Sequence, residues 1–132
     1  VVAAERVQGE VSPLLDELAQ AHGEGSASAC ASSSERLFTQ ECAVVAADTW
    51  EVAERALELV EAEGADQGTG QFGVLRGVVE ETRVAVEGYE ALSCADSPTD
   101  AAVRSECLEH GAVLAQAGPD LRDGLIAGLA GQ

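Results

Sequence analysis

Four cysteines occur as two pairs in matching surroundings, Cys30 with Cys42 and Cys94 with Cys107. Each first cysteine opens a Cys-Ala dipeptide (Cys30-Ala31, Cys94-Ala95), and each second follows a glutamate (Glu41-Cys42, Glu106-Cys107). With 11 and 12 intervening residues, neither pair has the Cys-x-x-Cys spacing of a redox enzyme or a common zinc knuckle. Only His22 and His110 are present to complete a thiolate metal site. An even cysteine count at paired spacing in a short chain points to disulfides, and so to an oxidising compartment. Of the three possible pairings, local pairing best explains the repeated spacing. Pairing across the two units is the alternative, and would lock them to each other.

The segments between the cysteine corners carry helical periodicity. Ala4, Val7, Val11, Leu14, Leu18 and Ala21 recur at spacings of three and four, predicting one helix over about 2–21 that bends at Pro13. His22-Gly23 marks its end. Ser32 with Glu35 has capping-box spacing and predicts the start of a second helix running to about Glu63. Phe38, Cys42, Val45, Val52, Ala56 and Leu59 form its stripe, widened by Trp50, Ala53, Leu57 and Val60. A stripe this broad implies two packing neighbours.

Four glycines between Gly64 and Gly73 mark a seam. A third helix is expected over about 74–92 with Leu75, Val78, Thr82, Ala85, Tyr89 and Leu92 inward. A fourth starts at Ser97-Pro98-Thr99-Asp100 and carries Val103, Cys107, His110, Leu114 and Ala117. Pro119 is expected to kink or restart it before Leu121, Leu125, Ile126 and Leu129. Nothing reads as a strand.

Two helical hairpins, each too thin to bury its own stripe, predict an all-α, antiparallel up-down-up-down four-helix bundle stapled by two disulfides. The expectation is a single domain over 1–132, with hairpin repeats at about 1–63 and 72–132 and a linker at 64–73. Both cysteine corners should share one end and the termini the other. Bridges closing loops of this length contribute about 3 kcal/mol each in the chain-entropy account. Against a net stability of about 5–15 kcal/mol that is substantial. A core of Ala, Val and Leu, with only Trp50, Tyr89, Phe38 and Phe72 aromatic, gives a physical reason to need them.

The net charge of −17 with seven arginines and no lysine repels nucleic acid and anionic lipid, both of which are bound through basic side chains. It favours basic partners or divalent cations. The absence of Lys, Asn and Met, with a single Ile, indicates a high-GC genome, of actinobacterial type in preference to a haloarchaeon. No signal peptide and no apolar run long enough to span a bilayer is visible. The opening Val1-Val2-Ala3-Ala4 is compatible with the continuation of a removed membrane segment.

Catalytic, cofactor and metal residues are not expected. Di-iron bundles need Glu-x-x-His, which does not occur, and no serine lies in a Gly-x-Ser-x-Gly elbow. Paired acids such as Glu80-Glu81 read as solvated helix faces, and the loop at Asp66 lacks the spaced acids of a calcium site. His110, at an inward position near Cys107, and His22, read as a loop residue at the same end, are the candidate ligand contacts. Trp50, on the edge of its stripe, reads as a core plug, with an interface anchor as the alternative.

These features predict a non-enzymatic extracytoplasmic binding, sensing or protein–protein interaction domain, secreted or membrane-anchored. The partner is a protein or small ligand that the sequence does not identify. A structural subunit of a larger complex is one alternative. A small-ligand or cofactor carrier with a pocket between helices near His110 is another.

Overall fold

A computed structural model describes residues 2–63 and 72–132, the Val2 side chain excepted. The greater part of the linker expected at 64–73 therefore lies outside the described residues. Four α-helices are present: α1 (Val2–His22), α2 (Gln40–Ala62), α3 (Gly73–Ala91) and α4 (Ala101–Leu129). Short 3-10 turns at Gly25–Ala27, Glu35–Phe38 and Cys94–Asp96 shape the corners. No strand occurs among the described residues.

The polar contacts fix the helix directions. Arg6 near the start of α1 pairs with Glu63 at the end of α2 (2.7 Å), and His22 at the end of α1 meets Asp48 early in α2 (2.7 Å). Tyr89 late in α3 donates to carbonyls just ahead of α2, so α3 runs against α2. The Gln132 carbonyl accepts from Val74 N (3.1 Å), setting α4 against α3. Arg122 of α4 reaches Asp16 of α1 (2.7 Å) and closes the ring. The result is the antiparallel up-down-up-down bundle, with both cysteine corners at one pole. Cys30 is bridged to Cys42 and Cys94 to Cys107, the local pairing.

The core has two parts. Toward the stapled pole, Leu37, Val45, Ala46, Ala85, Val86, Tyr89, Leu114 and both disulfides pack together. Toward the other pole, Val7, Val11, Leu15, Val52, Ala56, Val60, Phe72, Leu75, Leu121 and Leu125 do so. Trp50 touches both clusters and joins them. Thr82 is fully buried near this level, and its hydroxyl donates to the Val78 carbonyl one turn back (2.8 Å), so no polar group is orphaned there.

Helices α3 and α4 approach more closely than other pairs because glycines line the contact. A methyl group at Gly124 would lie 2.8 Å from the Leu75 Cα, and one at Gly88 would collide with the His110 ring. Backbone thus packs on side chain with no intervening Cβ.

Several boundaries differ from the sequence expectation. Helix α2 does not begin at Ser32. The Ser34 hydroxyl accepts from Arg36 N (3.2 Å) to cap only a 3-10 turn, and Thr39 then caps α2 by accepting from Glu41 N (3.2 Å). A continuous helix would assign the Leu37 carbonyl to the residue 41 N–H; instead Glu41 N donates to the Thr39 hydroxyl (3.2 Å), and the Leu37 carbonyl accepts from the Tyr89 hydroxyl (2.6 Å), which also lies 3.3 Å from the Thr39 carbonyl. At α4 the expected start holds: within Ser97–Asp100 it is Asp100 that caps the helix, its carboxylate accepting from Ala102 N and Val103 N (2.9 and 3.1 Å).

Phe72, fully buried, precedes α3 with φ 66°. Neither proline ends its helix: α1 runs through Pro13 and α4 through Pro119 without a restart. Burial of Leu15 after the first, and of Leu121 and Leu125 after the second, holds the helix across the missing hydrogen bond. Ile126 is not a core residue, being 59% exposed.

Burial pushes the Tyr89 hydroxyl up to about 12, with the nearby Asp96 charge adding to it, so it stays a donor at all moderate pH. Tyr89→Phe would leave the buried Leu37 carbonyl without this donor and is expected to cost about 1–2 kcal/mol in urea denaturation. Opening one staple with Cys94→Ala/Cys107→Ala is expected to cost about 3 kcal/mol. Denaturation midpoints of the two variants against the parent protein check both figures.

Candidate functional site

A surface cavity of about 420 Å³ forms an open groove along the outer seam of α1 and α2. Leu14, Leu18, Ala21 and Val52 supply its apolar floor, and Glu17, Asp48 and Glu51 its acidic border, with His22 at one end. Neither lysine nor arginine lines it. Toward the stapled pole the seam continues past Ala21 and His22 into a second depression of about 270 Å³ with Val44, Val45 and Ala29. Val44 is 51% exposed there. Arg36 and Glu41 flank this extension and pair with each other (3.3 Å).

The groove arises from the periodicity of α1. At 3.6 residues per turn, Ala4, Val7, Val11 and Leu15 share one line facing the core, and all four are buried. Leu14 and Ala21 fall at the edge of that line. Leu14 and Leu18 are only half-buried, and Ala21 is exposed. A strict alternation of three and four drifts relative to a straight helix, so the last apolar residues of the stripe rotate outward. The residues read from the sequence as the end of a core stripe are the groove floor instead.

His22 is the final residue of α1, half-buried, and not the exposed loop residue expected. Its Nε2 donates to Asp48 Oδ2 across the seam. Asp48 thus spends part of its hydrogen-bonding capacity inside the protein. Glu17 and Glu51 form no ion pair among the described residues and face solvent.

His110 lies in another seam. Its ring packs on Gly88 and fills the space between α3 and α4 that an interhelical pocket would need. The two histidines are therefore not brought together as a pair. Trp50 is half-buried and bonded into the core through both clusters, which uses its surface for packing. The four cysteines are all oxidised, leaving no free thiol. Among the described residues, no group of three or more His, Cys, Asp or Glu is arranged to hold a metal ion.

A cleft of about 350 Å³ opens between the two stapled loops, lined by Ser32, Ser33, Ser34, Thr39, Ser97 and Arg104. The Arg104 guanidinium sits over the Phe38 ring at 3.8 Å and donates to the Pro98 carbonyl (2.8 Å). That contact ties one disulfide loop to the other.

On the far side, a cleft of about 230 Å³ between α3 and α4 is lined by Val78, Glu81, Thr82, Gln116 and Asp120. Burial raises the Asp120 carboxyl above its ordinary range, and Asp123 and Glu81 push it further.

No protein family, curated protein or solved structure gives a significant match to the chain. The site's chemistry is therefore argued from its own residues. Of these, the sequence reading reached His22 but not Glu17, Asp48 or Glu51. Their acidity is unremarkable among 24 acids, and only the helix pairing gathers them round an apolar floor.

The raised Asp120 gives a pH prediction. A carboxyl held above its unfolded value binds its proton more tightly in the folded state. It opposes folding at neutral pH, and that opposition fades as pH falls through the folded value. Asp120→Asn is accordingly expected to raise the melting temperature at about pH 7, with the gain shrinking toward about pH 3. Paired thermal melts at the two pH values test the sign.

Proposed function

We propose that this chain is a non-enzymatic binding module of an extracytoplasmic protein from a high-GC bacterium, and that it engages its ligand through the α1–α2 groove. The observation that carries this reading is a preformed, solvent-open groove with an apolar floor and a bare acidic border. Apolar surface with a few placed polar groups is the usual composition of a binding site. The groove lies beside the disulfide-stapled pole, so its walls are held at little conformational cost when a ligand arrives. Two disulfides suit an oxidising compartment outside the cytoplasm. No described helix is long and apolar enough to cross a membrane.

The alternative of a carrier with a pocket near His110 has less support, because that ring packs on Gly88. The hydroxyl-lined cleft between the staples is weaker as a binding site, because its one cation is already engaged by Phe38 and the Pro98 carbonyl.

Amide chemical-shift mapping with benzyltrimethylammonium, an apolar cation, tests the assignment. The largest shifts are expected at residues 14–22 and 44–52, and they should vanish in Ala21→Trp, which fills the groove from an exposed helix position. Shifts centred elsewhere, or unchanged by that substitution, would remove the groove as the binding site.

A further inference from the structure

We infer that the natural occupant of the α1–α2 groove is a basic amphipathic helix from a different protein, an inference that rests on the groove being the binding site. Shape is the first argument. The floor residues Leu14, Leu18 and Ala21 run along α1 at spacings of four and three, a stretch of about 10 Å at 1.5 Å per residue. The adjoining depression extends the path to the exposed Val44. A trough between two antiparallel helices is the shape into which a third helix lays its ridge of side chains. Its apolar anchors would come at i, i+3 or i+4, and i+7.

An extended peptide fits less well. It gains affinity mainly by adding main-chain hydrogen bonds to a sheet edge, and the described residues contain no strand.

Charge is the second argument. Glu17 and Glu51 border the floor without ion-pair partners, and Asp48 adds a third carboxylate, held by His22; neither lysine nor arginine lines the groove itself, and the one arginine of the adjoining depression, Arg36, is paired with Glu41. Elsewhere Glu10, Asp16, Glu41, Glu58, Glu63, Glu80 and Glu87 each pair with an arginine. Glu17 and Glu51 have none in reach, so a cationic occupant of the apolar floor would meet them free of internal ion pairs. The chain's net charge of −17 would also steer a basic partner toward it and repel an acidic one.

The same charge argues against self-association through this face. A second copy has only seven basic residues against 24 acidic ones, and most of its arginines are already engaged. The chain's own segment 64–71 supplies no candidate either, since it contains Asp66 and no basic residue.

Fluorescence anisotropy with a labelled Leu/Lys peptide of about 18 residues, five helical turns, tests the inference at about 0.15 M salt. Saturable binding is expected, about tenfold tighter than to a scrambled peptide of identical composition that lacks the helical period. Glu17→Gln/Glu51→Gln should weaken it about tenfold, while Glu81→Gln/Asp123→Asn, an equal charge change on α3 and α4, should alter it less than about twofold. Equal binding of the scrambled peptide, or equal loss in both double variants, would reduce the effect to general attraction by the acidic surface and overturn the inference.

If the peptide fails to bind while benzyltrimethylammonium still shifts the groove amides, the site stands and the helical occupant falls. Loss of both removes the site as well. Concentration-dependent dimerisation abolished by Ala21→Trp would make the occupant a second copy and overturn the inference. Circular dichroism of each variant confirms that the bundle is intact.

Discussion

At the stapled pole one buried hydroxyl ties the second hairpin to the first. Tyr89 of α3 reaches past the first disulfide loop to the Leu37 and Thr39 carbonyls. The Leu37 carbonyl is thereby satisfied where the helical path is broken ahead of α2, within the loop that Cys30 and Cys42 close. The hairpins are joined at this pole by that hydrogen bond and by the Arg104 contact over Phe38, not by sulfur, because each disulfide stays within its own hairpin. Covalent bridges order each corner, and non-covalent contacts between corners set the bundle.

A core built from small aliphatic side chains has consequences down the length of the molecule. Glycines on α3 and α4 let those helices pack closely, and Trp50 packs against both core clusters. Dispersion and burial scale with the area brought together, so close approach compensates for the scarcity of large residues. The tight α3–α4 pair is matched by a looser α1–α2 outer seam, and the groove lies there. Closely packed helices leave little room for a ligand; a seam whose apolar residues are rotated outward leaves more.

The electrostatics follow the same division. Arginines are placed to bind carboxylates on neighbouring helices or turns, as with Arg6 and Glu63, Arg55 and Glu10, and Arg122 and Asp16. The Arg6 guanidinium holds the Glu63 carboxyl below its usual range mainly by hydrogen bonding to it. Exposed pairs of this kind add little stability individually, but they use up the protein's few cations. Acids left over gather wherever no arginine reaches, and at the groove they do so around apolar surface. That coincidence gives the surface a chemical preference.

By itself the sequence determined the helical class, the two hairpins, the local disulfides and the shared pole. All of these follow from short-range information: spacings of three and four, paired cysteines, and glycine or proline at the corners. It also located α1 ending at His22-Gly23 and the tyrosine on the inward face of α3. What only the tertiary structure decided were features set by contacts between distant segments. The Leu37 carbonyl finds its donor on a hydroxyl 52 residues away, and the merging of α4 through Pro119 depends on burial on both sides of it. The position of His110 against Gly88 depends on how close two helices come. The groove is the clearest case. Leu14, Leu18 and Ala21 are apolar at core-like spacing, and whether such a residue faces the interior or the solvent is settled by the rotation of its helix against its neighbours, which no local pattern fixes to within the width of one side chain.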